Sequence, residues 1–128
     1  DAAERKQIRE FGPQAKPIQC VAFLPDGKAI VAADESSMIR LWDLSTGNTL
    51  RTFDEHKAAV KCVAISPDGK RLASGSNDTT IIVRDISTGQ ALQTLKAHRN
   101  TIYGLAWSFD GTRLASASFD RTVCVWEL

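Results

Sequence analysis

The sequence contains no run of apolar residues approaching the ~18 that a bilayer-crossing helix needs, and no signal-peptide or lipidation pattern. No membrane partner is expected. It also lacks an excess of either charge: 16 Lys and Arg against 15 Asp and Glu leave +1. A general nucleic-acid binder would carry a strong basic excess, so no nucleic-acid partner is expected. Cysteines number three, an odd count that argues against a disulfide framework and suits a reducing, cytoplasmic setting. There is no Cys-x-x-Cys pair and no His cluster, so no metal site is expected. Gly-Lys-Ser/Thr and Gly-x-Gly-x-x-Gly are absent, which removes phosphate loops and leaves no cofactor to expect. What remains is 128 residues, 43% hydrophobic and 24% charged, the make-up of an ordinary globular protein. Such a chain can bury about two thirds of its unfolded surface. It starts at Asp1 rather than Met, which suits an excised or processed segment.

Self-similarity organises the rest. Pro25-Asp26-Gly27, Pro67-Asp68-Gly69 and Phe109-Asp110-Gly111 follow one another at 42 residues. The same step links Trp42, Arg84 and Trp126, links Asp43, Asp85 and Glu127, and carries Ser45-Thr46-Gly47 onto Ser87-Thr88-Gly89 and His56 onto His98. Unrelated residue types sharing one spacing without a gap make three copies of one unit.

Each unit reads as four short strands. In the middle copy Val60 to Ile65 is rich in strand formers and stops at Ser66-Pro67-Asp68-Gly69, a strong turn signal. Arg71 to Ser76 and the β-branched Thr80 to Asp85 follow, and Ala91 to Leu95 is a fourth, more polar strand. Apart from a few residues between Asp1 and Lys6, no stretch shows helical spacing. The chain is all β.

These motifs resemble WD40 repeats from about Gln7 to Leu128, on Leu41-Trp42-Asp43, Val125-Trp126-Glu127 and the segments Leu72 to Asp78 and Leu114 to Asp120. The resemblance implies a β-propeller of four-stranded antiparallel blades, three per chain. The units are an outer strand at 7–11, a first blade at 12–53, a second at 54–95 and a third at 96–128, all one propeller segment over 1–128. A blade apolar on both faces must be sandwiched between like blades. Small Ala22, Ala64 and Ala106 suit the ring axis. Val21, Phe23, Val63, Ile65, Leu105 and Trp107 alternate with them and should fill the space between blades.

The family carries a buried tetrad of His, Ser or Thr, Asp and Trp. Carried over, the third blade keeps His98, Ser116, Asp120 and Trp126; the second keeps His56, Ser74 and Asp78 with Arg84 in place of Trp. The first has Gln14, Ala32 and Ser36 and retains only Trp42, so its network should be weak or absent and its packing irregular. A catalytic triad could use the same residue types. The set recurs at one spacing, however, as a structural element does and a single active site does not, so no enzyme activity is expected. Cys20 and Cys62 share a small strand position with Gly104 and read as buried hydrophobes. Lys61, Arg71, Arg99 and Arg113 read as scattered charges on a solvated face.

The resemblance implies a rigid, non-catalytic platform for protein–protein interaction, contacting a protein or peptide on the face that carries the loops between fourth and first strands. The family's contact positions fall on Ala59, Lys61 and Asn77, on Thr101, Tyr103 and Phe119, and on Pro17, Gln19 and Glu35. Tyr103 and Phe119 lead, because exposed aromatics anchor interfaces; the alternative is that Tyr103 packs on a neighbouring blade and Phe119 covers a turn. Rings typically hold four to eight blades, and a lone arc would expose apolar faces and a strand edge. The partner expected first is therefore the chain itself. Residues Gln7 to Phe11 would complete the third blade of the next copy, in a homodimer of six blades or a homotrimer of nine. The competing readings are a fragment of a longer propeller, or an engineered or evolutionary model of one with no partner, although unequal blades argue against an idealised design.

Overall fold

The computed structural model describes residues 5–128. Of the short helical spacing at Asp1 to Lys6, residues 1–4 lie outside the described residues, and Arg5 and Lys6 carry no regular structure. Eleven strands follow among the described residues: β1 (Ile18–Phe23), β2 (Ala29–Asp34), β3 (Ile39–Asp43), β4 (Thr49–Phe53), β5 (Val60–Ile65), β6 (Arg71–Ser76), β7 (Ile81–Asp85), β8 (Ala91–Leu95), β9 (Ile102–Trp107), β10 (Arg113–Ser118) and β11 (Val123–Glu127). They form three antiparallel sheets in chain order, β1 to β4, β5 to β8 and the three-stranded β9 to β11.

Turn chemistry repeats with the unit. In the middle blade Ser66 Oγ donates to Asp68 Oδ1 at 2.6 Å, the Lys70 amide donates to the same oxygen at 3.0 Å, and Gly69 adopts φ +73°, a region that favours glycine. Ser37, Thr79 and Arg121 take up left-handed backbone at one shared position, with φ between 70° and 73°. Strand alternation then sends one set of side chains of each sheet toward the preceding blade and the other toward the following one.

The core consists of the spaces between blades. Val31, Ala33, Ile39, Leu41 and Phe53 of the first sheet meet Val60, Leu72 and Ile86 of the second. One unit later Cys62, Ala73, Ile81 and Val83 meet Ile102 and Leu114, with Leu95, Leu105, Trp107 and Trp126 alongside. β5 lies between β1 and β9, so the inner strands line up side by side. Val63, Ile65, Leu105 and Trp107 pack between blades as expected. Val21 and Phe23 do not: they are 62% and 67% exposed, on a face that no blade covers among the described residues. On the third sheet Val123 and Val125 are 69% and 66% exposed, whereas their counterparts Ile81 and Val83 are sealed at 0% and 1%.

The segment Gln7 to Phe11 forms no strand in the single chain, since a strand needs a paired edge. It is nevertheless fixed. Phe11 stacks on Trp42 with centroids 5.0 Å apart, and Arg9 Nη2 donates to the Ser45 carbonyl at 2.8 Å. One unit on, Arg51 of β4 donates to the Ser87 and Thr88 carbonyls at 2.7 and 3.0 Å, and Phe53 lies under the Arg84 guanidinium at 4.8 Å. Residues 7–11 thus rest on the first blade as β4 rests on the second.

Candidate functional site

The third blade assembles its polar chain completely. The Trp126 indole donates to Ser116 Oγ at 3.0 Å, and Ser116 Oγ lies 2.7 Å from His98 Nε2. His98 Nδ1 lies 2.8 Å from Asp120 Oδ2, which also accepts the Arg99 amide at 3.0 Å. A carboxylate can only accept, so Nδ1 carries a proton; in the neutral ring Nε2 then accepts from the hydroxyl, giving one direction of donation from Trp126 to Asp120. The hydrogen bond from Thr122 leads in holding the Asp120 carboxyl far below its ordinary range; the cost of burial opposes it, and the Arg99 amide and His98 add to it.

The second blade repeats His56 Nε2 to Ser74 Oγ at 2.7 Å and His56 Nδ1 to Asp78 Oδ2 at 2.9 Å. Burial works to raise the Asp78 carboxyl, but hydrogen bonds from Thr80, His56 and the Lys57 amide outweigh it and lower it to about 2. At the Trp position Arg84 is fully buried. One of its nitrogens pairs with Glu55 Oε2, while Nε and Nη2 have no partner among the described residues.

The first blade is a correction to the sequence reading. The tetrad is absent there, as expected, but the packing is not irregular: its second strand is buried as fully as that of the second blade, and Asp and Ser have exchanged places. Asp34 stands where Ser76 and Ser118 stand, and Ser36 where Asp78 and Asp120 stand. Asp34 Oδ1 accepts the Ser36 amide at 2.8 Å, as Ser76 Oγ accepts that of Asp78 at 3.0 Å. Asp34 Oδ2 also takes Arg40 Nη1 at 2.6 Å. Ala32 offers no hydroxyl, so the Trp42 indole turns to Thr49 Oγ1 at 3.2 Å. Arg71 is a second correction. It is not on a solvated face: its guanidinium covers Trp107 at 4.5 Å and reaches the Gly111 carbonyl at 2.5 Å, tying the second blade to the third.

These His, Ser and Asp groups are engaged with one another inside the blades. Ser74 and Ser116 are 0% and 1% exposed, beyond reach of a substrate. Cys62 is buried between the second and third blades, and burial is the main influence raising its thiol to about 12, with nearby Cys20 adding to the shift.

The expected contact positions gather on one end of the blades. In each blade two of them are clamped by a backbone hydrogen bond: Glu35 N to Pro17 O at 3.2 Å, Asn77 N to Ala59 O at 2.9 Å and Phe119 N to Thr101 O at 3.0 Å. Side chains then join blades. Lys61 Nζ donates to Gln19 Oε1 at 3.2 Å and Thr101 Oγ1 to Asn77 Oδ1 at 2.9 Å, while within the first blade Gln19 Nε2 donates to Glu35 Oε1 at 3.0 Å. Tyr103 and Phe119 stack with centroids 4.8 Å apart and stay 51% and 62% exposed.

The family model for the WD domain, G-beta repeat, matches residues 5–43, 47–85 and 89–127. No curated protein matches the chain. Among solved structures it is similar to the structure of U3-55K, at TM-score 0.90 and 33% identity, and to the crystal structure of RRP9 WD40 repeats, at TM-score 0.90 and 34% identity. Each match covers 94% of this chain, which spans only 38% of the other's length.

Proposed function

Because the chain belongs to the WD40 family, we propose that it is a non-catalytic protein-interaction platform whose contact surface centres on Tyr103 and Phe119. The carrying observation is that aromatic pair. Two rings stay stacked in solvent, anchored by the Phe119 amide on the Thr101 carbonyl, where burying them in the chain's own core would have been more favourable. Asn77, Ala59 and Lys61 extend the surface over the second blade, and Gln19 and Glu35 over the first. The partner is a protein or peptide that offers an apolar anchor to the rings and polar groups to the Lys61–Gln19–Glu35 chain. Free thiols and burial-raised Cys62 suit work in a reducing compartment such as the cytoplasm. Replacing Tyr103 and Phe119 by Ala tests the surface. Proteins retained by the parent chain should be lost from the double variant, with circular dichroism and mass unchanged; undiminished retention refutes the assignment.

The same reading has the chain complete its ring by self-association, supported by the exposed apolar faces on the first and third blades. Sedimentation should then return a multiple of the 14.0 kDa chain mass. A species of 14.0 kDa favours the second reading, that the three blades belong to a longer propeller; the 38% share of its structural relatives' length points that way.

A further inference from the structure

We propose that the exposed faces of the first and third blades are the two halves of one interface, so that a second copy of this chain seats its third blade on the first blade in a fixed register. This rests on the self-association reading and says how the copies fit. Two interfaces between blades exist within the chain, and the elements of the second recur on the open faces.

The first element is a matched pair of sizes. Between the first two blades Ala33 of β2 and Val60 of β5 take the same places as Gly75 of β6 and Ile102 of β9 between the next two. A methyl lost on one side is gained on the other. The fit is tight: a Cβ on Gly75 would stand 2.6 Å from Ile102 Cγ2 and 2.8 Å from Cys62 Sγ. On the open faces the corresponding residues are Ala117 and Ile18, one methyl too many for that space. Relief comes at Gly104, which replaces Cys20 and Cys62 and removes the thiol. It leaves an open hollow of about 290 Å³ lined by Ala115, Ala117 and Val123, which the docked copy would fill with Ile18.

The second element is an arginine on an aromatic ring. Arg71 covers Trp107 and donates to the Gly111 carbonyl. The residues one unit on are Arg113 of the third blade and Phe23 and Gly27 of the first. Arg113 has only a 3.5 Å contact with Glu127, and Phe23 is 67% exposed. Both halves of a repeat of that clasp face solvent.

The third element is the strand edge. In the second blade β7 and β8 pair Ile81 with Leu95, Ile82 with Thr94 and Val83 with Gln93. The same pairing sets Val123 against Phe11, Cys124 against Glu10 and Val125 against Arg9 of the other copy. Phe11 and Arg9 are already held on Trp42 and Ser45, so the edge that meets β11 is built before docking.

Glu10→Cys places a thiol opposite Cys124 of the neighbour, within cross-strand reach. With a copper–phenanthroline oxidant the variant should give a reducible covalent species at a multiple of 14.0 kDa, absent when Cys124→Ser is added. Arg9→Cys, one residue away on the other face, should not link. Gly104→Val fills the hollow and should return the protein to 14.0 kDa, while Arg113→Ala should weaken association by about three- to tenfold. If the parent protein sediments as a multimer but Glu10→Cys does not link, or Gly104→Val still assembles, this register is wrong and self-association stands. A parent protein that stays at 14.0 kDa at all concentrations overturns both.

Discussion

Replacing Arg84 by Trp should stabilise the protein, against the usual cost of changing a fully buried residue. Arg84 occupies the position that Trp126 fills in the third blade, yet it cannot do what an indole does there. One guanidinium nitrogen pairs with Glu55, and Nε and Nη2 are sealed from water without acceptors. Each such orphan costs about 1–3 kcal/mol. Glu55 keeps 44% of its side chain exposed, so losing its partner returns it to water at little cost. The indole would find two prepared contacts. Ser74 Oγ is held by His56 as Ser116 Oγ is by His98, and Trp126 reaches the latter at 3.0 Å. Phe53 waits over the site, and a Phe on a Trp at the same place in the first blade stacks at 5.0 Å. Exchanging buried ion pairs for well-packed hydrophobes is often neutral or gains about 1–4 kcal/mol. Repacking around a larger ring works against the gain, so about 1–3 kcal/mol is expected here. Urea unfolding at fixed protein concentration should show a higher midpoint with unchanged m. Glu55→Ala, which strands the guanidinium entirely, should move the midpoint the other way. A Trp variant less stable than the parent would mean that Arg84 is satisfied in a way its surroundings do not account for, and the reasoning fails.

Gly75→Ala should cost about 1–3 kcal/mol through its clash with Ile102, and adding Ile102→Val should recover most of it, since Ala33 and Val60 already coexist one interface earlier; urea midpoints of the single and double variants decide, and an additive loss rules out the size exchange. The Asp78 carboxyl, titrating at about 2 when folded and near 4 when unfolded, is depressed by folding, so its contribution to stability is complete above pH 4 and is lost as the pH falls from about 4 to about 2. Asp120 shifts in the same direction, and urea midpoints flat across that window would contradict both assignments.

How much of this was legible depended on whether a feature obeyed the 42-residue step. Turns, strands and the His–Ser–Asp chains of the second and third blades did, and the strand from Val60 to Ile65 matches the structure, as do those from Arg71 to Ser76 and from Ala91 to Leu95. The exchanged Asp34 and Ser36 did not, because a search for a carboxylate at position 36 finds a hydroxyl and passes over the acid two residues earlier. Arg71 and Arg84 were illegible for another reason. Their work depends on what lies across a blade interface, Trp107 and Gly111 in one case, Phe53 and Glu55 in the other, and within-strand alternation does not rank charged residues by what they face. The spacings of Arg9 to Arg51 and of Phe11 to Phe53 were in plain sight. They acquire meaning only when Arg51 is seen to hold the next blade by its carbonyls.

In the proposed assembly, unequal blades would give the copies a defined order. Were every interface identical, any blade could dock on any other, and open arcs of mixed register would compete with one closed arrangement. Here the first interface pairs Ala33 with Val60 and has no arginine clasp, since Ala29 stands where Arg71 does. The second pairs Gly75 with Ile102 and adds Arg71 on Trp107. A foreign first blade, bearing Ile18, would meet Ala33 and Cys20 if it displaced the second blade, and there it would be overpacked. Only the third blade, with Gly104, leaves room for it. In the proposed assembly, the substitution that looks like a lost cysteine would thus be the one that fixes where an incoming copy seats.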